Sequence, residues 1–329
     1  MRSEQTGGPS RREFLAMGVG ALLVAGVPLA RARAPRRVRY AVPAMGTVAE
    51  LVAVHRDERY ARGALRAAAE ELRRVEALMT RFAAGSDVGR ANRLAAREAV
   101  AVSPETARVV GEALRWAEAS GGGFDPALAL AVDLWDVKHR SAPPPPEQVR
   151  RMAGRGLHRR VGIEGSATAP RLVFGEPEVQ LDLGGIAGGY GVDRAVAVLR
   201  EWGIANGFVN LGGDIYALGV AEDGDPWTVG VRSPLDPASL VGSVRLSDRA
   251  IATSGDYEQF FEHGGRRYHH ILDPATGAPR LSETHSVTVE ADSCLAVDAA
   301  TTACFGLGAE AARALLARAA PGAALVHLG

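Results

Sequence analysis

Asp182-Leu183-Gly184-Gly185-Ile186-Ala187-Gly188-Gly189-Tyr190-Gly191-Val192-Asp193 is the stretch on which the fold turns. Val179 to Leu183 reads as a strand running into it, and about Tyr190 to Trp202 as a helix running out. The glycines between them let the backbone approach a ligand closely. A helix start behind such a turn offers free N–H groups to an anion such as a pyrophosphate. The spacing is not G-x-G-x-x-G, and no Gly-Lys-Ser/Thr follows, so neither the dinucleotide fingerprint nor a Walker A loop is met. A tight strand–helix turn with no ligand is the alternative reading. Downstream lies a block of short strands: near Phe208 and Ile215, Trp227 to Val231, Val241 to Leu246, Ala250 to Thr253, Tyr268 to Leu272 and Ser286 to Glu290. Helices near Val297 to Gly306 and over Ala309 to Ala319 precede a last strand, Ala324 to Leu328. Strands and helices in blocks, not in alternation, predict an α+β fold with mixed or antiparallel sheets and flanking helices, not a doubly wound sheet.

Upstream, Val38 to Val42 and Val48 to Val54 read as paired strands around Met45-Gly46-Thr47. Glu58 to Thr80 carries apolar residues at helical spacing. Ser103-Pro104-Glu105 opens another helix, with Ser as N-cap and Pro in the first turn, and Gly121-Gly122-Gly123 ends it. Ala142 to Pro146 is a stiff linker ahead of a short helix, Glu147 to Met152.

Of 329 residues, 47% are apolar and 23% charged, the balance of a globular protein and not of a disordered or multi-span membrane chain. Basic and acidic residues number 38 each, so no global positive field speaks for nucleic acid. Lys138 is the only lysine. The two cysteines, Cys294 and Cys304, form neither a disulfide framework nor a thiolate metal site. Residues 1–34 read as an address. Arg11-Arg12 precede an uncharged run from Leu15 to Ala30, and Ala30-Arg31-Ala32-Arg33-Ala34 offers small-x-small cleavage sites. This is the order of a twin-arginine signal peptide. The expected location is therefore periplasmic, or the outer face of the cytoplasmic membrane if the leader stays uncleaved. The catalytic unit is expected over 38–329.

Three further segments carry chemistry. Asp298-Ala299-Ala300-Thr301-Thr302 lies on a predicted helix, where Asp298 and Thr302, at i and i+4, share one face as oxygen ligands suited to Mg²⁺. Tyr268 to Gly277 contains His269 and His270, which on a strand would point to opposite faces, so one of them could serve as a base. Gly122-Gly123-Phe124-Asp125-Pro126, with Trp135 beyond it, sets aromatics beside an acid, an arrangement able to stack on and hydrogen-bond a heteroaromatic ring. Each has a bland reading: a capping Asp, a structural His, a helix-ending turn with a core Phe.

Taken in order, these segments resemble the ApbE-type FAD:protein FMN transferases. The blocks are Ala44 to Thr47; Met79 to Phe82 with Ser86 and Asn92; Gly123 to Pro126 with Trp135; Asp182 to Asp193; Asn210-Leu211-Gly212-Gly213-Asp214; Trp227 to Pro234; Ser254 to Tyr257; His270 to Gly277; and Asp298 to Thr302. The resemblance implies an ApbE-like, T-fold-related catalytic unit that binds FAD as substrate and requires Mg²⁺. Its activity would be to move FMN onto a Ser or Thr hydroxyl of a partner redox protein, releasing AMP. It implies Asp298, Thr302 and the Gly185 carbonyl as metal ligands, His270 as the base, and Met45, Phe82, Gly123, Phe124, Asp125, Asp182 and Gly188 as the FAD-contacting positions.

This chain departs from the family pattern at several places. Gly188 stands where the family has Lys, Gly191 where it has Ala, and Asp136-Val137 follows Trp135 in place of Gly-Phe. Asp273 to Pro279 is similar to the family's acceptor motif, but Pro279 occupies the position of the modified hydroxyl, so self-modification there is not expected. Two other functions remain open on the same residues: an FAD pyrophosphatase, with water as acceptor, and an exported FAD carrier without turnover.

Overall fold

The structure, a computed structural model, describes residues 35–236 and 238–329. The leader read at residues 1–34 lies outside them. The centre is a seven-stranded antiparallel sheet whose order in space follows the chain: β1 (Arg36–Ala44), β2 (Thr47–His55), β3 (Gly207–Leu211), β4 (Asp214–Leu218), β5 (Arg249–Gly255), β6 (Ser286–Ala291) and β7 (Ala324–Leu328). The β1–β2 hairpin closes through Met45 and Gly46, both at positive φ (49° and 75°). Such a two-residue loop matches the right-handed twist of the paired strands.

The helices are α1 (Glu58–Met79), α2 (Asp87–Leu94), α3 (Pro104–Ala119), α4 (Ala129–Trp135), α5 (Pro146–Met152), α6 (Ala187–Glu201), α7 (Cys294–Cys304) and α8 (Ala309–Ala319), of which α1, α6, α7 and α8 pack against the sheet. α1, α6 and α7 supply much of the main core. Strand alternation sorts the residues of β2: Leu51 and Ala53 face those helices, while Val52 and Val54 face a second cluster built on Trp227 and Leu246. That second cluster comes from the hairpin Trp227–Arg232 with Leu240–Leu246, which covers the other face. The sheet thus lies between helices and a hairpin. Among the described residues, no helix is long and apolar enough to cross a membrane.

Local signals in the sequence account for several elements. Ser103 caps α3 by accepting from the Thr106 amide at 3.1 Å, with Pro104 in the first turn. Asp57 does the same for α1 through Tyr60. Two expected strands take another form. Val179 to Leu183 makes only an isolated parallel bridge, Gln180 to Leu128. Its backbone is satisfied instead by the side chain of Asn92, which accepts from Leu181 N at 2.7 Å and donates to Leu181 O at 2.9 Å. Tyr268 to Leu272 breaks at His270, where the chain bends between the strands Arg266–His269 and Leu272–Asp273. Cys294 and Cys304 are free and buried at opposite ends of α7.

Candidate active site

The glycine turn and α7 meet at short range. α7 starts at Cys294 under the Ser293 cap, so Asp298 and Thr302 lie one turn apart on one helix face, Asp298 buried and Thr302 half-buried. The amide of Gly189 donates to Asp298 Oδ2 at 2.9 Å. The other oxygen, Oδ1, accepts no hydrogen bond among the described residues. A β-carbon on Gly189 would lie 2.2 Å from Cys294 O, so only glycine permits this approach of α6 to α7. A β-carbon on Gly185 would lie 3.2 Å from Thr302 Oγ1 and 3.3 Å from the Phe124 ring, which brings Gly185, Thr302 and Phe124 together. Ser254, at the end of β5, reaches the same place, its hydroxyl 2.9 Å from Thr301 Oγ1 and 3.4 Å from Thr302 Oγ1.

A second carboxylate faces the first. A β-carbon on Gly188 would stand 2.8 Å from Asp214 Oδ2 and 3.4 Å from Asp298 Oδ2. The glycine found at the family's lysine position therefore sits between two acids. Burial lifts the Asp298 carboxyl pKa to about 7, and the Gly189 amide offsets this only in part. Burial, then the charges of Asp298 and Asp193, push Asp214 well above the ordinary carboxylate range. Both carboxyls hold a proton more tightly than a free carboxyl does, and positive charge nearby would oppose that.

The donor set fits a hard cation. Asp298 Oδ1, the Thr302 hydroxyl and the nearby Gly185 backbone are all oxygen donors, as Mg²⁺ prefers, and none is a soft ligand. Among the described residues no three His, Cys, Asp or Glu side chains form a metal cage. A cation here would therefore complete its shell with water or substrate oxygens, the usual manner for Mg²⁺.

The expected flavin contacts divide into three groups. Phe82 is 82% exposed, and the Arg81 guanidinium lies 4.3 Å from its ring centre, leaving a bare aromatic face at the surface. Arg81 ion-pairs with Asp182 at 2.8 Å and with Asp133 at 2.6 Å. Asp182 also accepts from Gly184 N at 2.8 Å, which ties it to the glycine turn. Gly123 accepts at its carbonyl from Arg280 at 2.5 Å. Two residues face inward. Asp125 has a side chain only 1% exposed, with Oδ2 2.8 Å from His158 Nδ1 and Oδ1 accepting from Ala127 N at 2.8 Å, so it shapes the loop that carries Phe124. Met45 packs toward α6, its sulfur 3.0 Å from where a β-carbon on Gly191 would stand. Trp135 belongs to a separate core with Phe261, Tyr268 and Leu272 and donates to Gly277 O at 2.7 Å, so its ring is not free to stack on a ligand.

The two histidines part company as the chain bends. His269 is buried, donates from Nε2 to Arg280 O at 2.9 Å and accepts the Ile271 amide at Nδ1 at 3.3 Å. Both of its nitrogens are occupied, and its role is structural. His270 donates from Nδ1 to Gln259 O at 3.3 Å, a carbonyl that also accepts its backbone amide at 3.1 Å. That arrangement leaves the Nε2 lone pair to accept a proton. Burial, then the His269 charge, lowers the His270 pKa to about 4, so the ring is neutral at neutral pH. Arg280 links this loop to the rest of the site. One guanidinium nitrogen donates to Phe305 O at the end of α7, the other to Gly123 O.

Sequence spacing does not single out Asp214, Asp193, Gly189 or Arg280 as site residues. Their partners lie far away along the chain, and short-range spacing carries no trace of them. Gly189 and Asp193 lie within the glycine-rich stretch and Asp214 ends the Asn210 to Asp214 turn between β3 and β4, but their individual roles come from those distant partners.

The sequence model of the ApbE family matches residues 45–326. The FAD:protein FMN transferase of Treponema pallidum is 42% identical over 222 residues, which cover 62% of this chain and 60% of that protein. That of Vibrio cholerae is 36% identical over 244 residues, covering 73% of this chain and 72% of that protein. Among solved structures, the flavin transferase ApbE from Vibrio cholerae matches with a TM-score of 0.75 at 31% identity, covering 86% of this chain and 91% of that one. The ApbE protein of Thermotoga maritima matches with a TM-score of 0.78 at 30% identity, covering 88% and 93%.

Proposed function

Because the chain belongs to the ApbE family, we propose that it is an FAD:protein FMN transferase, moving FMN from FAD to a Ser or Thr hydroxyl of a partner protein and releasing AMP. The observation that carries this reading is the pairing of Asp298 and Thr302 on one face of α7, against the glycine turn at Gly185 and Gly189. Those two side chains and the Gly185 carbonyl would hold Mg²⁺. When bound, the ion supplies positive charge to the pyrophosphate oxygens.

Phosphoryl-type transfer needs positioning and charge neutralisation more than covalent help from the protein. Phe82 offers an aromatic face to a flat ring, and Asp182 and Arg81 hold the mouth of the glycine turn in place. The acceptor oxygen attacks the phosphorus on the FMN side. A new O–P bond forms, the P–O bond to AMP breaks, and AMP leaves with the electron pair. The hydroxyl proton passes to Nε2 of His270, whose ring is held by Gln259 O. The leader read at residues 1–34 supports an acceptor outside the cytoplasm, with the catalytic unit at 38–329.

The test is direct. Purified protein is incubated with FAD, Mg²⁺ and a peptide carrying an Asp-x-x-Thr-Gly-Ala-Thr-like acceptor. A gain of one FMN on the peptide, abolished by chelator, supports the reading. AMP and free FMN without labelled peptide would assign a pyrophosphatase, and tight FAD binding without turnover a carrier.

A further inference from the structure

α6 and α7 are tied twice, and only one tie involves Asp298. Asp193, one turn beyond Gly189 on α6, turns its carboxylate onto the first turn of α7. Its Oδ1 accepts the Cys294 amide at 2.8 Å, and its Oδ2 accepts the Leu295 amide at 3.0 Å and the Ser293 hydroxyl at 2.7 Å. In the opposite direction, Asp298 on α7 accepts the Gly189 amide of α6 at 2.9 Å. The ties are reciprocal: positions 189 and 193 on one helix meet 298 and 294 on the other.

A helix cap from the adjacent residue stabilises a helix wherever that helix lies. Ser293 is such a cap, accepting from Ala296 N at 3.4 Å. A cap supplied by another helix also fixes where the capped helix sits. We propose that Asp193 is a positioning residue for the cation site: by capping α7 from α6, it sets the place at which Asp298 and Thr302 present their oxygens. A negative charge also suits the N-terminus of α7, so the tie is favourable in itself. The inference rests on the cation site of the proposed function. Ligand oxygens must be held closely to bind a small hard ion, and loss of groups that orient metal ligands typically costs about 10–100-fold in affinity.

The experiment titrates Mn²⁺ into the parent protein, Asp193→Ala, Asp193→Asn and Ser103→Ala, following free Mn²⁺ by electron paramagnetic resonance. Circular dichroism establishes that each variant is folded at the working temperature. Asp193→Ala is expected to weaken Mn²⁺ binding at least about tenfold. Ser103→Ala, which removes the cap of α3 and no bond of Asp193, is expected to lower the melting temperature and leave Mn²⁺ affinity unchanged. Should Asp193→Ala fail to fold, Asp193→Asn is read in its place and is expected to bind Mn²⁺ measurably more weakly than the parent. Unchanged affinity in the folded Asp193 variant would overturn the proposal, as would an equal loss in Ser103→Ala. A parent that binds no Mn²⁺ would overturn the cation site itself, a distinct failure.

Discussion

The backbone amide of Gly189 donates to Asp298 Oδ2 at 2.9 Å, across a helix contact too close for any side chain at position 189. One oxygen of the carboxylate is thereby held and the other is left open. This one-sided arrangement suits a ligand that must be oriented yet available, and it places the proposed chemistry at the α6–α7 contact.

Asp298→Ala removes the only charged side chain of α7, the proposed cation ligand. Mg²⁺-dependent turnover is expected to fall at least about 100-fold, since the charge stabilisation involved amounts to several kcal/mol. Steady-state AMP release, together with Mn²⁺ titration, checks it. Full turnover in the variant would remove Asp298 from the metal site.

Stability should depend on pH and on the cation together. Asp298, with its pKa raised from 3.8 to about 7, binds a proton more tightly folded than unfolded. Its contribution is complete below about pH 4 and is lost as the pH rises through about 7; Asp214 has the same sign. His270 has the opposite sign, because its pKa is lowered from 6.5 to about 4, and above 6.5 it no longer contributes. From pH 6.5 upward the melting temperature of the metal-free protein is therefore expected to fall, and saturating Mg²⁺ to remove most of that fall. Differential scanning fluorimetry across pH 6.5–8 reads both arms, and a metal-free curve that rises with pH would contradict the assignment.

His270→Ala should separate transfer from binding. Loss of a general base typically costs about 10²–10⁴-fold in rate. Transfer to peptide is expected to fall by that amount while FAD affinity, read by flavin fluorescence, stays at the parent level. An equal loss of FAD binding would make His270 a substrate contact and not a base.

Two neighbouring glycines should respond differently. In Gly189→Ala the new methyl meets a backbone carbonyl, Cys294 O, at 2.2 Å, and neither helix can yield cheaply. The expected loss is about 1–3 kcal/mol or more in denaturant unfolding, with weakened Mn²⁺ binding. In Gly188→Ala the closest atom is the free end of the Asp214 side chain, which can swing aside. Its expected cost is below about 1 kcal/mol. Equal destabilisation by the two would show that the close helix contact does not govern this region.

Much of this site is legible in the sequence because its signals are local. The i, i+4 pair Asp298 and Thr302 needs only a helix, and the helix is there. Ser103-Pro104 marks the start of α3. The antiparallel α+β architecture follows from blocks of strands and helices and is observed. Elements fail where a distant partner decides the outcome. Val179 to Leu183 has the burial alternation of a strand, but the Asn92 side chain takes the place of a neighbouring strand. The hairpin Val161–Ser166 with Ala169–Phe174 gives no clear signal, its first strand being largely exposed and holding two glycines. Asp125 stands beside Phe124 in the sequence, and its carboxylate also pairs with His158, 33 residues away, a contact that short-range spacing does not carry. Asp193 and Asp214 close two of the quoted blocks, but their roles are not legible there, because those lie in contacts with α7 and with Gly188.

The central claim is that FMN leaves FAD for a protein hydroxyl and not for water. The measurement that tests it most directly is stoichiometry: AMP released and FMN covalently bound to acceptor peptide, counted in the same reaction with Mg²⁺ present. The account expects one peptide-bound FMN for each AMP, with little free FMN. Matched amounts of AMP and free FMN, with the peptide unlabelled, would contradict it.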